Sequence, residues 1–104
     1  MTRFVLTDSA IRDIEQIWDH IAADSPRNAD LLIDTIYREI LRIGTSPRIG
    51  HRRSDLAGRK SLLFWAVAAY LIVYRSTGAE TVILAVLHGS RDVPSVLRGR
   101  QQEE

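Results

Sequence analysis

The densest polar cluster of this 104-residue chain is His88-Gly89-Ser90-Arg91-Asp92. An imidazole, a hydroxyl, a guanidinium and a carboxylate packed so closely in sequence can serve as a base beside a phosphate clamp. The same residues can also form a plain strand exit, with Gly89 giving the bend and Asp92 capping a helix-like Val93–Leu97. Cleavage of RNA needs a base for the 2′-hydroxyl, an acid for the leaving oxygen and cations on the phosphate. The groups on hand for that are His88, Arg91, Arg75, Tyr74 and Lys60, a barely sufficient set.

Other chemistries lack their residues. His20, His51 and His88 are the three histidines, no two at zinc-ligand spacing, and there is no cysteine. No metal site and no cofactor are therefore expected. Gly44, Gly50 and Gly58 stand singly, which excludes a phosphate-cradling loop, and Gly-x-Ser-x-Gly is absent. His20, late in a helical stretch, reads as a contact to the negative helix end, and His51-Arg52-Arg53 as a basic loop.

Charge is uneven along the chain. The net charge of +1 hides a balance of −3 over residues 1–43 and +4 over residues 44–104, and Lys60 is the single lysine among fourteen bases. Arginine favours bidentate contact with carboxylate or phosphate, so the second half suits an acidic partner, protein or nucleic acid.

The elements that must position these groups follow from periodicity. Arg3–Leu6 reads as a short strand, and Thr7 or Asp8 as a helix N-cap. Ala10, Ile14, Ile17, Trp18 and Ile21 share a helical face, with Asp13, Glu15, Gln16 and Asp19 largely off it. Ser25-Pro26 starts a second helix whose stripe runs from Ala29 to Leu41, with Gly44 as its stop. A connection of a few residues makes the pair an antiparallel hairpin over about 8–44. Strands are expected near Lys60–Val67, Tyr70–Arg75 and Thr81–Leu87, joined by a turn at Ser76–Ala79 in which Gly78 takes positive φ. The result is one α+β domain over residues 1–104: an N-terminal strand, a helical hairpin on a small antiparallel sheet spanning about 59–88, and a tail over 93–104.

Leu62–Tyr74 is an unbroken apolar run of thirteen residues, shorter than the roughly 20 that cross a bilayer. With no apolar leader after Met1, a cytoplasmic protein without membrane contact is expected. The run also makes both sheet faces apolar: Leu63, Trp65 and Val67 on one, Leu62, Phe64 and Ala66 on the other. Two helices cover one face; the second is covered either by the loop 44–58 and the tail 90–104 folding over it or by a partner, and a partner is the expectation.

Four stretches carry a family resemblance. They are Phe4-x-Leu6-Thr7-x-x-Ala10-x-x-Asp13-Ile14-x-x-Ile17-Trp18-x-x-Ile21-Ala22, Pro47-x-Ile49-Gly50-x-x-Arg53-x-Asp55-Leu56, Phe64-Trp65-x-Val67-x-x-Tyr70-Leu71-Ile72-Val73-Tyr74-Arg75 and Val86-Leu87-His88-Gly89-Ser90-Arg91-Asp92. In this order they resemble the ParE-type toxins of bacterial type II toxin–antitoxin systems, within the ParE/RelE superfamily. The resemblance implies a helical hairpin on an antiparallel sheet and a protein poison of DNA gyrase rather than a catalyst. It further implies neutralisation by a ParD-like, ribbon-helix-helix antitoxin in a hetero-oligomer that represses its own operon, so that DNA is met only through the antitoxin. Arg59, Trp65, Arg75, His88, Arg91, Arg98 and Arg100 are the expected contacts to antitoxin or target. The alternative is a RelE-like, ribosome-dependent mRNA interferase using His88, Arg91 and Tyr74. Against it, the tail after Asp92 holds no Tyr, His or Lys.

Overall fold

The computed structural model describes residues 3–57 and 61–100. In chain order these form β1 (Arg3–Leu6), α1 (Asp8–Ala22), α2 (Pro26–Thr45), β2 (Leu63–Val67), β3 (Tyr70–Ser76), β4 (Glu80–His88) and α3 (Val93–Gly99). The α+β expectation is met.

Both long helices begin where a short oxygen-bearing side chain satisfies first-turn amides. The Thr7 hydroxyl accepts from Ala10 N–H at 3.1 Å, and the Ser25 hydroxyl accepts from Asn28 N–H at 3.2 Å with Pro26 following. Gly44 is not the stop of α2. The helix runs on to Thr45, and a Cβ on Gly44 would lie 2.7 Å from Cδ1 of Phe4. Glycine is there so that β1 can seat its aromatic ring against the helix.

The sheet order is β1-β4-β3-β2: three strands run antiparallel, and β1 joins β4 in parallel. The β2–β3 hairpin turns on Ala68 and Ala69 alone, with Ala68 held at φ 53°. Left-handed backbone at the first loop position matches the twist of the strands but suits glycine better than alanine. Gly78, at φ 88°, makes the β3–β4 turn as expected.

β4 carries a bulge. Tyr74 pairs with Ile83 and Val73 with Ala85, which leaves Leu84 as an extra residue. In consequence Leu84 and Ala85 both point to one face, while Ile83 and Val86 point to the other.

Each face has its own core. Ile14, Ile17, Ile36, Ile40 and Ile43 of the hairpin pack on Val67, Ile72, Tyr74, Ile83 and Val86. On the opposite face lie Leu62, Phe64, Val73, Val82, Leu84, Ala85 and Leu87, beneath Val93 and Leu97 of α3 and flanked by Leu56 and Ala57. The expectation of a partner on this second face is thus corrected: the chain's own residues 56–57 and α3 cover it. Val93, Val96 and Leu97 recur at three and four residues, enough to give even this short helix an apolar stripe.

Candidate functional site

Beyond Leu6 the outer edge of β4 has no neighbouring strand among the described residues, yet side chains reach its backbone at Leu84 and Val86. The Thr7 hydroxyl donates to Leu84 O at 3.3 Å, and Asp13 Oδ2 accepts from Val86 N–H at 2.9 Å. Arg100, just past α3, donates to both Asp13 oxygens at 2.6 and 2.7 Å and to Leu84 O at 3.4 Å. Three side chains from three parts of the chain thus replace the missing strand. Asp13 was expected off the apolar face; it is 4% exposed, and such burial is tolerable for a carboxylate because three donors, two of them from a guanidinium, reach its two oxygens. Arg100, expected as a surface contact, is spent inside the fold.

Next to this pair a cavity of about 340 Å³ opens between α1 and the end of β4. Asp13, Gln16, Ile17 and His20 line it from α1, Tyr70 from β3, Val86 and His88 from β4, and Ser90 and Arg91 from the following turn. Two of the expected site residues, His88 and Arg91, are brought together here. The His88 ring stands edge-on to Tyr70 with centroids 5.2 Å apart. Its Nδ1 accepts from Ser90 N–H at 3.0 Å, with Ser90 Oγ at 2.7 Å. With Nδ1 accepting from the backbone, the neutral ring carries its proton on Nε2 and offers a hydrogen-bond donor there.

The remaining expected contacts lie apart. Trp65, half-buried on β2, donates from Nε1 to Glu39 at 2.9 Å, stacks on His51 at 6.0 Å and has the Arg42 guanidinium 5.4 Å from its ring centre. His51 itself exchanges backbone hydrogen bonds with Phe64, both 2.8 Å, which closes part of the free β2 edge. Arg75 is on β3, and the exposed Arg98 on α3 donates to Ser95 at 2.9 Å. Arg59 lies outside the described residues.

Tyr74, named for the interferase alternative, is fully buried. Its hydroxyl accepts from Gly50 N–H at 2.8 Å and donates to Pro47 O at 2.6 Å, and burial pushes its pKa above the ordinary phenol value. Tyr74 pins the 47–50 loop; its proton is committed. A Cβ on Gly50 would collide with that hydroxyl, which explains the glycine.

The α1 wall of the cavity was missed from the sequence, although its signal is present. Asp13, Gln16, Ile17 and His20 recur at i, i+3, i+4 and i+7, a second stripe beside the obvious apolar one. Trp18, placed on the main stripe, instead lies at its margin, 37% exposed, donating to Asp30 of α2 at 2.8 Å. Ile11, Leu31, Tyr37 and Leu41 are likewise exposed on the outer surface of the hairpin.

The chain is similar to known proteins along most of its length. It is 26% identical over 98 residues to the toxin ParE3 of Caulobacter vibrioides, covering 93% of this chain and 96% of that one. Its fold matches a chain from the chromosomal ParDE toxin–antitoxin system of P. aeruginosa at a TM-score of 0.71 and 19% identity, over 85% of this chain and 96% of that one. The family model described as the ParE toxin of the type II toxin–antitoxin system parDE matches residues 4–93. With its hairpin, sheet and β4 exit all inside that match, the chain belongs to the ParE toxin family of type II toxin–antitoxin systems.

Proposed function

We propose that this ParE-type toxin arrests growth by poisoning DNA gyrase, and that a ParD-like antitoxin neutralises it in a cytoplasmic hetero-oligomer that represses its own operon. The observation that carries the reading is the match of residues 4–93 to the ParE family, supported by the structural engagement of Tyr74, a residue of the nuclease alternative. The Tyr74 hydroxyl is committed to Pro47 O and Gly50 N–H, and His88 Nδ1 accepts from Ser90 N–H. An antitoxin would find the exposed apolar residues Ile11, Trp18, Leu31, Tyr37 and Leu41 on the hairpin, together with the basic groups of the second half.

The test is a supercoiling and cleavage assay with purified gyrase, with and without the small acidic protein expected from the adjacent reading frame. The expected result is linear, protein-linked DNA that the antitoxin suppresses. Growth arrest with unaffected gyrase would overturn the gyrase target and turn attention to mRNA cleavage at His88 and Arg91.

A further inference from the structure

We propose that the cavity between α1 and the β4 exit is a carboxylate-accepting pocket, and that its occupant is an acidic side chain of the antitoxin; the second clause rests on the antitoxin reading above. The first argument is the lining. Arg91 supplies a permanent cation, His88 an Nε2–H fixed in place by Ser90 at Nδ1, and Gln16 and His20 further donors from the facing helix. The second is that the one carboxylate on the wall among the described residues does not cancel them. Asp13 is already held by two guanidinium nitrogens of Arg100 and by Val86 N–H, so Arg91 keeps its charge for a ligand.

Size and polarity narrow the class. Ile17, Val86 and the Tyr70 ring form an apolar wall that suits the methylene stem of a glutamate and strengthens the charge contact by displacing water. A volume of about 340 Å³ is at the small end of ligand sites, ample for a side chain and its own backbone. One permanent cation with two imidazoles fits a single negative charge better than a phosphate dianion. His20, His88, Ser90 and Arg91 are all exposed, so the mouth is reachable by a bound peptide. The charged and titratable groups that face the two imidazoles are Asp13 with Arg100 behind it, Tyr70 and Arg91.

The experiment has two arms. In the first, the free protein is titrated with N-acetyl-glutamate α-methylamide, its glutamine counterpart and inorganic phosphate while the histidine ring signals are followed by NMR. The glutamate probe is expected to shift the ring signals of His20 and His88, because the bound carboxylate lies against both rings. The glutamine probe is expected to leave them in place, and Arg91→Gln to abolish the response with its thermal unfolding unchanged. Silence towards the glutamate probe, or a response to phosphate alone, overturns the carboxylate pocket.

In the second arm, antitoxin affinity is compared for the wild type, Arg91→Gln and His88→Gln. A loss of about tenfold or more is expected for each. If the antitoxin binds the wild type and both variants equally, the pocket's assignment to an antitoxin side chain falls while neutralisation stands. If no antitoxin binds the wild type, the neutralisation reading falls, and the ring titration still decides the pocket.

Discussion

The two faces of the sheet are equally apolar but covered by very different means. One lies under α1 and α2, capped helices of 15 and 20 residues that bring a row of isoleucines. The other lies under the 7-residue α3 and the segment around Leu56, with Val93 and Leu97 as the helix's buried anchors. A helix that short has little stability of its own and holds only through tertiary contact. The pair Asp13–Arg100 runs between the two covers, from α1 to the residue that follows α3. The first cover is therefore intrinsic to the fold, and the second is a flap secured by the short apolar stripe of α3, the flanking Leu56 and Ala57, and one ion pair.

The largest expected effect breaks the difference outright. Asp13→Ala strands Arg100 and leaves Val86 N–H without its acceptor, at a cost of about 3–5 kcal/mol. Urea unfolding should show that loss, and amide exchange should rise at both β4 and α3. Second come matched truncations: Ile40→Ala beneath the hairpin should cost about 3–4 kcal/mol, and Leu97→Ala only about 2, because a short helix can settle into the space it leaves. Equal losses would make the two covers equivalent.

A smaller change should act on both faces alike. Ala68→Gly relieves the left-handed backbone of the β2–β3 turn and should stabilise the whole domain by about 0.5–1 kcal/mol, read as a raised thermal midpoint. The mildest perturbation should reach only the flap. Ser95, through its hydroxyl and its backbone N–H, holds the Asp92 carboxyl below its ordinary pKa, with Arg98 adding a smaller charge effect. A depressed folded pKa contributes stability above the unfolded value, near pH 4, and that contribution is lost as pH falls through the folded pKa. Acidification below about pH 4 should thus release α3 amides to exchange before those at the start of α1, where the Thr7 cap does not titrate.

What was legible in the sequence was local. The caps Thr7 and Ser25, the three-and-four spacing of both helices and the Gly78 turn are all written within a few residues of where they act. The break at Ala68-Ala69 was placed correctly, although alanine gives no sign of the positive φ it adopts there. Asp13 was misplaced because its burial depends on Arg100, 87 residues away, and no periodicity carries that information. The same distance hid the fate of Arg100, whereas the loop and tail that cover the second face were weighed as its cover but ranked below a partner. For the candidate site, His88 and Arg91 stood out as a dense polar cluster, whereas Gln16 was overlooked and His20 was read as a helix-end contact, because a stronger apolar stripe shares their helix.

The bulge in β4 bears on how this family can change length. Strand side chains alternate, so losing a residue at most points of β4 would turn every later side chain to the wrong layer, exchanging Val86 with Leu87 and misaiming His88. At Leu84 the outcome differs. Removing it joins Ile83 directly to Ala85 in the unbroken register against Tyr74 and Val73, and everything downstream keeps its side. By register alone Leu84 is the position in this buried strand where a deletion keeps every later side chain on its layer, so homologues one residue shorter within β4 should have lost their residue there.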